Sequence, residues 1–259
     1  MQPNGFFDHP QQQVPLSEGS APLPCFFRHV HYTVCMFPAD REPLFRKLEG
    51  TGLVPALQLG GRFMVALGLV KYTDSNLGAY NEVILAIPSL PAGTKAPWSN
   101  WADLVGPLHR RRVGQYILHI PVTSRFSMLA GRELWGYPKI VAPITHQHKG
   151  HSLQVAVEDP VTGEQILSLG GNWRMSIPFI PLPLITYSFQ NNMLLRTEVA
   201  VRGTMQLRLW HNLRLQVGPS QHPFAADLRD LGLHNRQPWV VLDTPHFQSV
   251  FYPGKPMGQ

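Results

Sequence analysis

Proline and glycine interrupt this chain too often for it to be built of long helices. With 25 prolines and 22 glycines in 259 residues, a breaker falls at roughly one residue in six, and proline removes both an amide donor and the freedom of φ wherever it falls. Short strands joined by turns are therefore favoured, and an all-helical bundle is excluded. The length suits one large domain or two modest ones with a substantial core. Hydrophobic residues make up 44% and charged residues only 15%, against roughly 25% charged in an average domain, so disorder driven by self-repulsion is not expected. The surface that goes with this composition is unusually neutral.

The formal charge is +6, and its Lys and Arg total is 22. Arginine supplies most of that total, and the one dense basic run is Arg110, Arg111 and Arg112 after His109. A single run reads as a solvated loop before a strand rather than a phosphate-binding face, so no nucleic-acid partner is expected. Two cysteines, Cys25 and Cys35, cannot frame a domain of this size and are expected as reduced thiols. The segment 1–13 lacks a charged region followed by an apolar one, which points to a cytoplasmic location. The most apolar stretch, 177–184, contains Pro178, Pro181 and Pro183, so a soluble chain with no membrane partner is expected.

Residues 1–24 are polar and proline-bearing and read as a flexible N-terminal arm, with a single domain over 25–259. Strands are expected at 29–36, 62–72, 79–87, 115–122, around 138–147, and at 152–157 and 165–169. Asp74, Ser75, Asn76 and Gly78 mark one hairpin, and Asp159, Pro160, Thr162 and Gly163 another. Trp98 and Trp101 fall in a loop. Long alternating runs at 198–207 and 208–217 suit antiparallel strands with one wet face. Short helices are expected at 39–48, with Pro43 in the first turn, and at 223–231, with Gly232 as its stop. The whole reads as an α+β fold, mainly antiparallel β, with a few short helices.

The most informative stretch is Ala130-Gly131-Arg132-Glu133-Leu134-Trp135-Gly136-Tyr137-Pro138-Lys139-Ile140-Val141-Ala142-Pro143. It resembles the active-site signature of the acetoacetate decarboxylases, in which a Gly-Arg-Glu run leads through an aromatic-Pro pair to the lysine that forms a Schiff base. Lys139 matches that lysine. The stretch from Tyr72 to Glu82, with Asp74, Leu77, Gly78 and Tyr80, resembles the segment that ends in the family's active-site glutamate. His222, Pro223, Asp227, Leu228 and Leu231 resemble its late helix, so the likeness runs in order over about residues 26–253. It implies a curled sheet closed into a barrel or cone, a homo-oligomer and no external cofactor. Glu82 is then the proton-transfer partner of Lys139. Arg28 is the nearest match to the family's carboxylate-binding arginine, and Trp135 and Tyr137 belong to a bulky, dry substrate pocket. Arg132 and Glu133 would brace the turn that presents Lys139.

The chemistry asked of the lysine follows from its amine. An ordinary lysine is free amine to only about one part in a few thousand at pH 7, so it attacks ketones poorly. Shifting that balance by three powers of ten requires the site to disfavour the cation by about 4 kcal/mol, within the reach of burial. Apolar neighbours surround Lys139, and no acid lies between Glu133 and Glu158. The family is itself the standing example of a lysine activated by desolvation or by a neighbouring cation, so that device comes with the resemblance. Where the family has a second lysine this chain has Ile140, which leaves desolvation. The expected reaction is decarboxylation of a β-keto acid through a lysine imine. Aldol or dehydration chemistry on small oxo acids, and a non-catalytic binding protein of the same fold, are the alternatives. His146, His148 and His151 suggest a metal only weakly, since Gly150 interrupts them and no acid or cysteine joins them, so none is expected. Gly60-Gly61 and Gly170-Gly171 lack the strand-to-helix setting of a nucleotide loop and read as turns or bulges.

Overall fold

The structure is a computed structural model that describes residues 5–94 and 100–257. The first part of the chain contains β1 (Gln12–Pro15), β2 (Ser20–Leu23), β3 (Cys25–Pro38), helix α1 (Arg41–Arg46), β4 (Leu53–Pro55), β5 (Gln58–Leu59), β6 (Arg62–Ser75) and β7 (Tyr80–Pro91). The middle holds α2 (Asn100–Asp103), β8 (Gly114–Val122), α3 (Arg125–Trp135), β9 (Lys139–Val141), β10 (Ile144–Lys149), β11 (Ser152–Glu158) and β12 (Gln165–Asn172). The last part adds β13 (Met175–Phe179), β14 (Leu184–Gln190), β15 (Met193–Gly203), β16 (Met205–Leu209), β17 (Arg214–Val217), α4 (Pro223–Asp230), β18 (Val240–Phe251) and β19 (Lys255–Pro256).

Seven strands close on themselves in the order β18-β3-β6-β7-β8-β14-β15, with β15 pairing back onto β18. All neighbours run antiparallel except β8 and β14, which are parallel. Closure removes the free edges that so many strands would otherwise expose. Parallel pairing requires a long crossover, and the segment between β8 and β14 provides it, carrying α3, β9 and three of the four strands of a second sheet. That second sheet is β10-β11-β12-β17.

Strand periodicity explains why the barrel has two apolar faces. On β6, Val65, Leu67 and Leu69 point outward into the main core with Leu153, Val155 and Leu169 of the second sheet. The alternate residues Ala66, Gly68, Val70 and Tyr72 line the lumen. A strand buried on both sides must be apolar nearly throughout, which is why β6 reads as a continuous run rather than an alternating one. Helices α1 and α4 add Leu44, Phe224, Ala225 and Leu228 to the outer core.

Most expected strands fall within a few residues of observed ones, and both hairpins form. Five segments differ. The arm over 1–24 contains the β1–β2 hairpin, whose turn is tied down by Glu133 and Arg125. The turn expected before Lys139 is the end of α3. Ser124 accepts an N-cap hydrogen bond from the Ser127 amide at 3.2 Å, and Gly136, at φ 62°, ends the helix in the left-handed region. The paired runs at 198–207 and 208–217 are instead three strands with different partners, since β15 and β16 both join β18 while β17 joins β12. Strand β18, which the sequence reading passes over, is the seam that closes the barrel. Trp101, expected in a loop, stands in the short helix α2, and Trp98 lies outside the described residues.

Candidate functional site

Three elements meet at Lys139. It opens β9, which pairs with β8 through Ile120. Its side chain runs under α3, where Ser127 and Gly131, four residues apart and so on one helix face, look down on it. A Cβ at Gly131 would stand 2.4 Å from Lys139 Cδ and 2.6 Å from Cε. Only glycine there lets the helix pack onto the lysine chain. The same helix holds the lysine's backbone, because Arg132 Nε donates to the Lys139 carbonyl at 2.6 Å.

The amine is enclosed and paired. Lys139 and Glu82 are each 4% exposed. Lys139 Nζ donates to Glu82 Oε2 at 2.6 Å and to Ser127 Oγ at 3.0 Å, and it lies 5.4 Å from the centre of the Tyr80 ring. Glu82 reaches it from β7, 57 residues away in sequence. Its other oxygen, Oε1, accepts from the Tyr72 hydroxyl at 3.1 Å, and Tyr72 stacks on Tyr80 at 4.4 Å. Burial, reinforced by the Glu82 charge, pushes both phenols well above their usual range, so Tyr72 remains a donor. A buried ammonium and carboxylate in contact can share one proton in two ways, as an ion pair or as amine and carboxylic acid. The second arrangement is the one that frees the nitrogen lone pair.

Glu82 forms part of the wall of the barrel lumen, a cavity of about 500 Å³. Tyr72 and Tyr137 line the same end, and the Tyr137 hydroxyl is satisfied by Thr186 Oγ1 at 2.7 Å. Among the described lining residues Glu82 is the only charged one. Gln115 Oε1 and Ser249 Oγ, also on the wall, are buried without a hydrogen-bond partner.

The structure therefore brings Lys139, Glu82 and Tyr137 together and disperses the other residues singled out from the sequence. Trp135 is buried beside Tyr137 but faces the core, with its indole N–H donating to the Tyr252 carbonyl at 2.9 Å. Arg28 packs against the Phe7 and Phe26 rings and lies 3.8 Å from Asp74, and it is not part of the lumen wall. Glu133 accepts from the Ser17 amide at 2.8 Å and from its hydroxyl, so it ties the N-terminal hairpin to α3, and of the two residues only Arg132 holds Lys139. Ile140 follows Lys139 on β9 opposite Pro121. Ser127, Tyr72 and Tyr80 were not read from the sequence as partners of Lys139. Tyr72 and Tyr80 lie ten and two residues from Glu82 within the motif, and strand alternation is the signal that places all three on one face.

A second polar cluster lies between the barrel and the second sheet. His31, His148 and Asp243 each offer a ligand atom within 4.8 Å of the others. His146 stands beside His31, with ring centres 5.8 Å apart, whereas His151 turns to the Trp173 ring. Arg208 forms an ion pair with Asp243, and Thr33 donates to it at 2.6 Å. Burial opposes the Asp243 charge, yet hydrogen bonds from His31, Thr33 and Arg208 hold its carboxyl well below the usual carboxylate range. With a guanidinium already neutralising that carboxylate, the cluster is a buried polar tie between layers.

Fold and site together define a class: a closed seven-stranded barrel whose apolar lumen carries on its wall a glutamate, Glu82, paired with the buried Lys139. The profile of the acetoacetate decarboxylase family matches residues 9–198, and the chain belongs to that family. Its fold is similar to that of acetoacetate decarboxylase from Legionella pneumophila subsp. pneumophila str. Philadelphia 1, with a TM-score of 0.69 at 14% identity over 98% of this chain and 94% of the other. It is similar to another acetoacetate decarboxylase structure, with a TM-score of 0.67 at 16% identity over 99% and 98%. The enduracididine biosynthesis enzyme MppR, solved with pyruvate, gives 0.63 at 14% identity over 90% of each chain. At these identities the likeness is one of fold. No curated protein matches the chain.

Proposed function

We propose that the protein is a lysine Schiff-base lyase that decarboxylates a β-keto acid through an imine on Lys139. The observation that supports this reading most is the contact between Lys139 Nζ and Glu82 Oε2 at the wall of an otherwise uncharged lumen. Glu82 takes a proton from the ammonium, and the neutral amine adds to the ketone carbon to give a carbinolamine. The protonated Glu82 returns its proton to the carbinolamine oxygen, which leaves as water, and the iminium remains. Loss of carbon dioxide sends the breaking C–C bond pair into the iminium as an enamine. Protonation at carbon and addition of water then release the ketone and restore Lys139.

The lining also favours loss of the carboxylate. A substrate carboxylate brought to this end of the lumen meets Glu82 and, among the described lining residues, no cation. No side-chain cation on the described wall holds its charge in place beside the iminium, and the charge disappears with carbon dioxide as the bond pair passes to the iminium. Borohydride reduction in the presence of acetone or a 3-oxo acid, followed by peptide mass mapping, tests the imine. The expected adduct is on Lys139, with carbon dioxide released from the 3-oxo acid. An unmodified Lys139 after reduction with every ketone would sink the proposal. Adducts without carbon dioxide, together with a condensed product from pyruvate and an aldehyde, would replace decarboxylation by aldol or dehydration chemistry. The homo-oligomer implied by family membership is part of the same proposal, as is a soluble, cytoplasmic protein without an external cofactor.

A further inference from the structure

The lumen extends far beyond the atoms around Lys139, and its character does not change along its length. On β6 its wall runs from Tyr72 to Ala66. Those six residue rises amount to about 20 Å of strand, or about 15 Å along the axis of a barrel whose strands tilt by ~35–45°. Glu82 and Tyr137 stand at one end. At the other, Trp101, Val105, Phe179 and Ile180 belong to the wall and are also exposed to solvent, an apolar collar of the kind that marks a binding site.

Small residues line β6 and β7 away from Glu82. Ala66 on β6 faces Ala86 on β7 across the pairing. Gly68 stands next along β6, where a Cβ would come within 3.3 Å of the Tyr32 ring and 3.4 Å of Ile84 Cβ. A small polar oxo acid would leave most of this space to water. Each water needs two to four polar partners, and the described wall offers few away from the Glu82 end. An empty apolar space of this size would instead forfeit dispersion contacts over its whole surface.

From this shape and lining we infer that the substrate is an oxo compound with a linear apolar tail, its carbonyl at Lys139 and its tail laid along the barrel toward the collar. At roughly 30 Å³ for each methylene-sized group, incompletely filled, the cavity takes a tail of about ten to fifteen carbons. The position of the carbonyl rests on the imine proposed above. The tail rests on the lumen alone.

Displacement of a fluorescent fatty-chain probe by linear methyl ketones of four to sixteen carbons tests the inference on the full chain and on Lys139→Met. Affinity is expected to rise about three- to fourfold for each added methylene until the lumen is full, in both proteins. Ala86→Phe, placed at the part of the lumen away from Glu82, is expected to lower the ratio of long-chain to short-chain affinity at least tenfold, with a melting curve showing that the variant is folded. Affinities that do not change with chain length, or a probe that does not bind saturably, would overturn the inference. A rising series with no borohydride adduct on Lys139 would leave the tail site standing and remove the imine. A Lys139 adduct formed as readily with acetone as with long ketones, on a flat series, would do the reverse.

Discussion

At the residue scale, the pair that defines the site is held by contacts that can be removed one at a time. Glu82→Gln leaves the Lys139 ammonium buried beside a neutral amide. Imine trapping is expected to slow by roughly 10²–10⁴-fold for the lost proton acceptor, and stability to fall by about 3 kcal/mol for the uncompensated charge. Single-turnover trapping and urea unfolding read the two effects separately. Gly131→Ala places a methyl group where Lys139 Cδ and Cε now lie. A loss of about 1–3 kcal/mol is expected, with trapping impaired because the amine is pushed from Glu82, and a variant that traps at the parent rate would show that the lysine chain has another path. The sequence identified Lys139 and Glu82 because the motifs around them match a family. It misplaced Trp135, Arg28 and Glu133, since a residue type near a motif does not say whether its side chain faces a lumen, a core or a neighbouring loop.

At the element scale, α3 is the device that presents the lysine, and no helix is expected there from the sequence. Gly131 and the exposed polar positions weaken its signal, while its stop is decided by Gly136, where a Cβ would come within 2.5 Å of the Phe189 carbonyl oxygen on β14. Ser124→Ala removes the N-cap acceptor and is expected to cost about 1 kcal/mol, measured by thermal unfolding. The join between β3, β18 and the second sheet makes a prediction about pH. Burial, with smaller contributions from His31 and Lys71, pushes His146 down to about 4 from an ordinary 6.5. Between those values the unfolded chain takes up a proton that the folded one refuses. This contribution is therefore complete above pH 6.5, declines as pH falls, and is gone near pH 4. Urea midpoints at pH 7.5, 6, 5 and 4.5 should fall along that series, and His146→Leu should flatten the slope. A parent protein with the same midpoint at pH 7.5 and 5 would contradict the assignment. His146, His148 and His151 suggest a metal only weakly in the sequence, and His31 and Asp243, on β3 and β18, come up to the first two only where the barrel packs against the second sheet.

At the scale of the whole molecule, no helix among the described residues is long and apolar enough to cross a membrane, and the exposed apolar side chains include Trp210, Trp239 and Val161. A homo-oligomer would cover some of that surface, and light scattering on the purified chain is expected to return a multiple of 29.1 kDa. A monomer mass at micromolar concentration would contradict this. Local chemistry sufficed for much of the architecture. Proline and glycine spacing excludes long helices, turn residues mark the hairpins β6–β7 and β11–β12, and two short motifs single out Lys139 and Glu82, all of which depend on neighbours a few residues apart. Barrel closure through β18, the parallel β8–β14 contact, the glutamate set against the amine and the long apolar lumen belong to the tertiary structure. Each is a meeting of residues distant along the chain, and strand periodicity fixes only which side chains alternate, while pairing across the sheet decides which of the two faces becomes the inside.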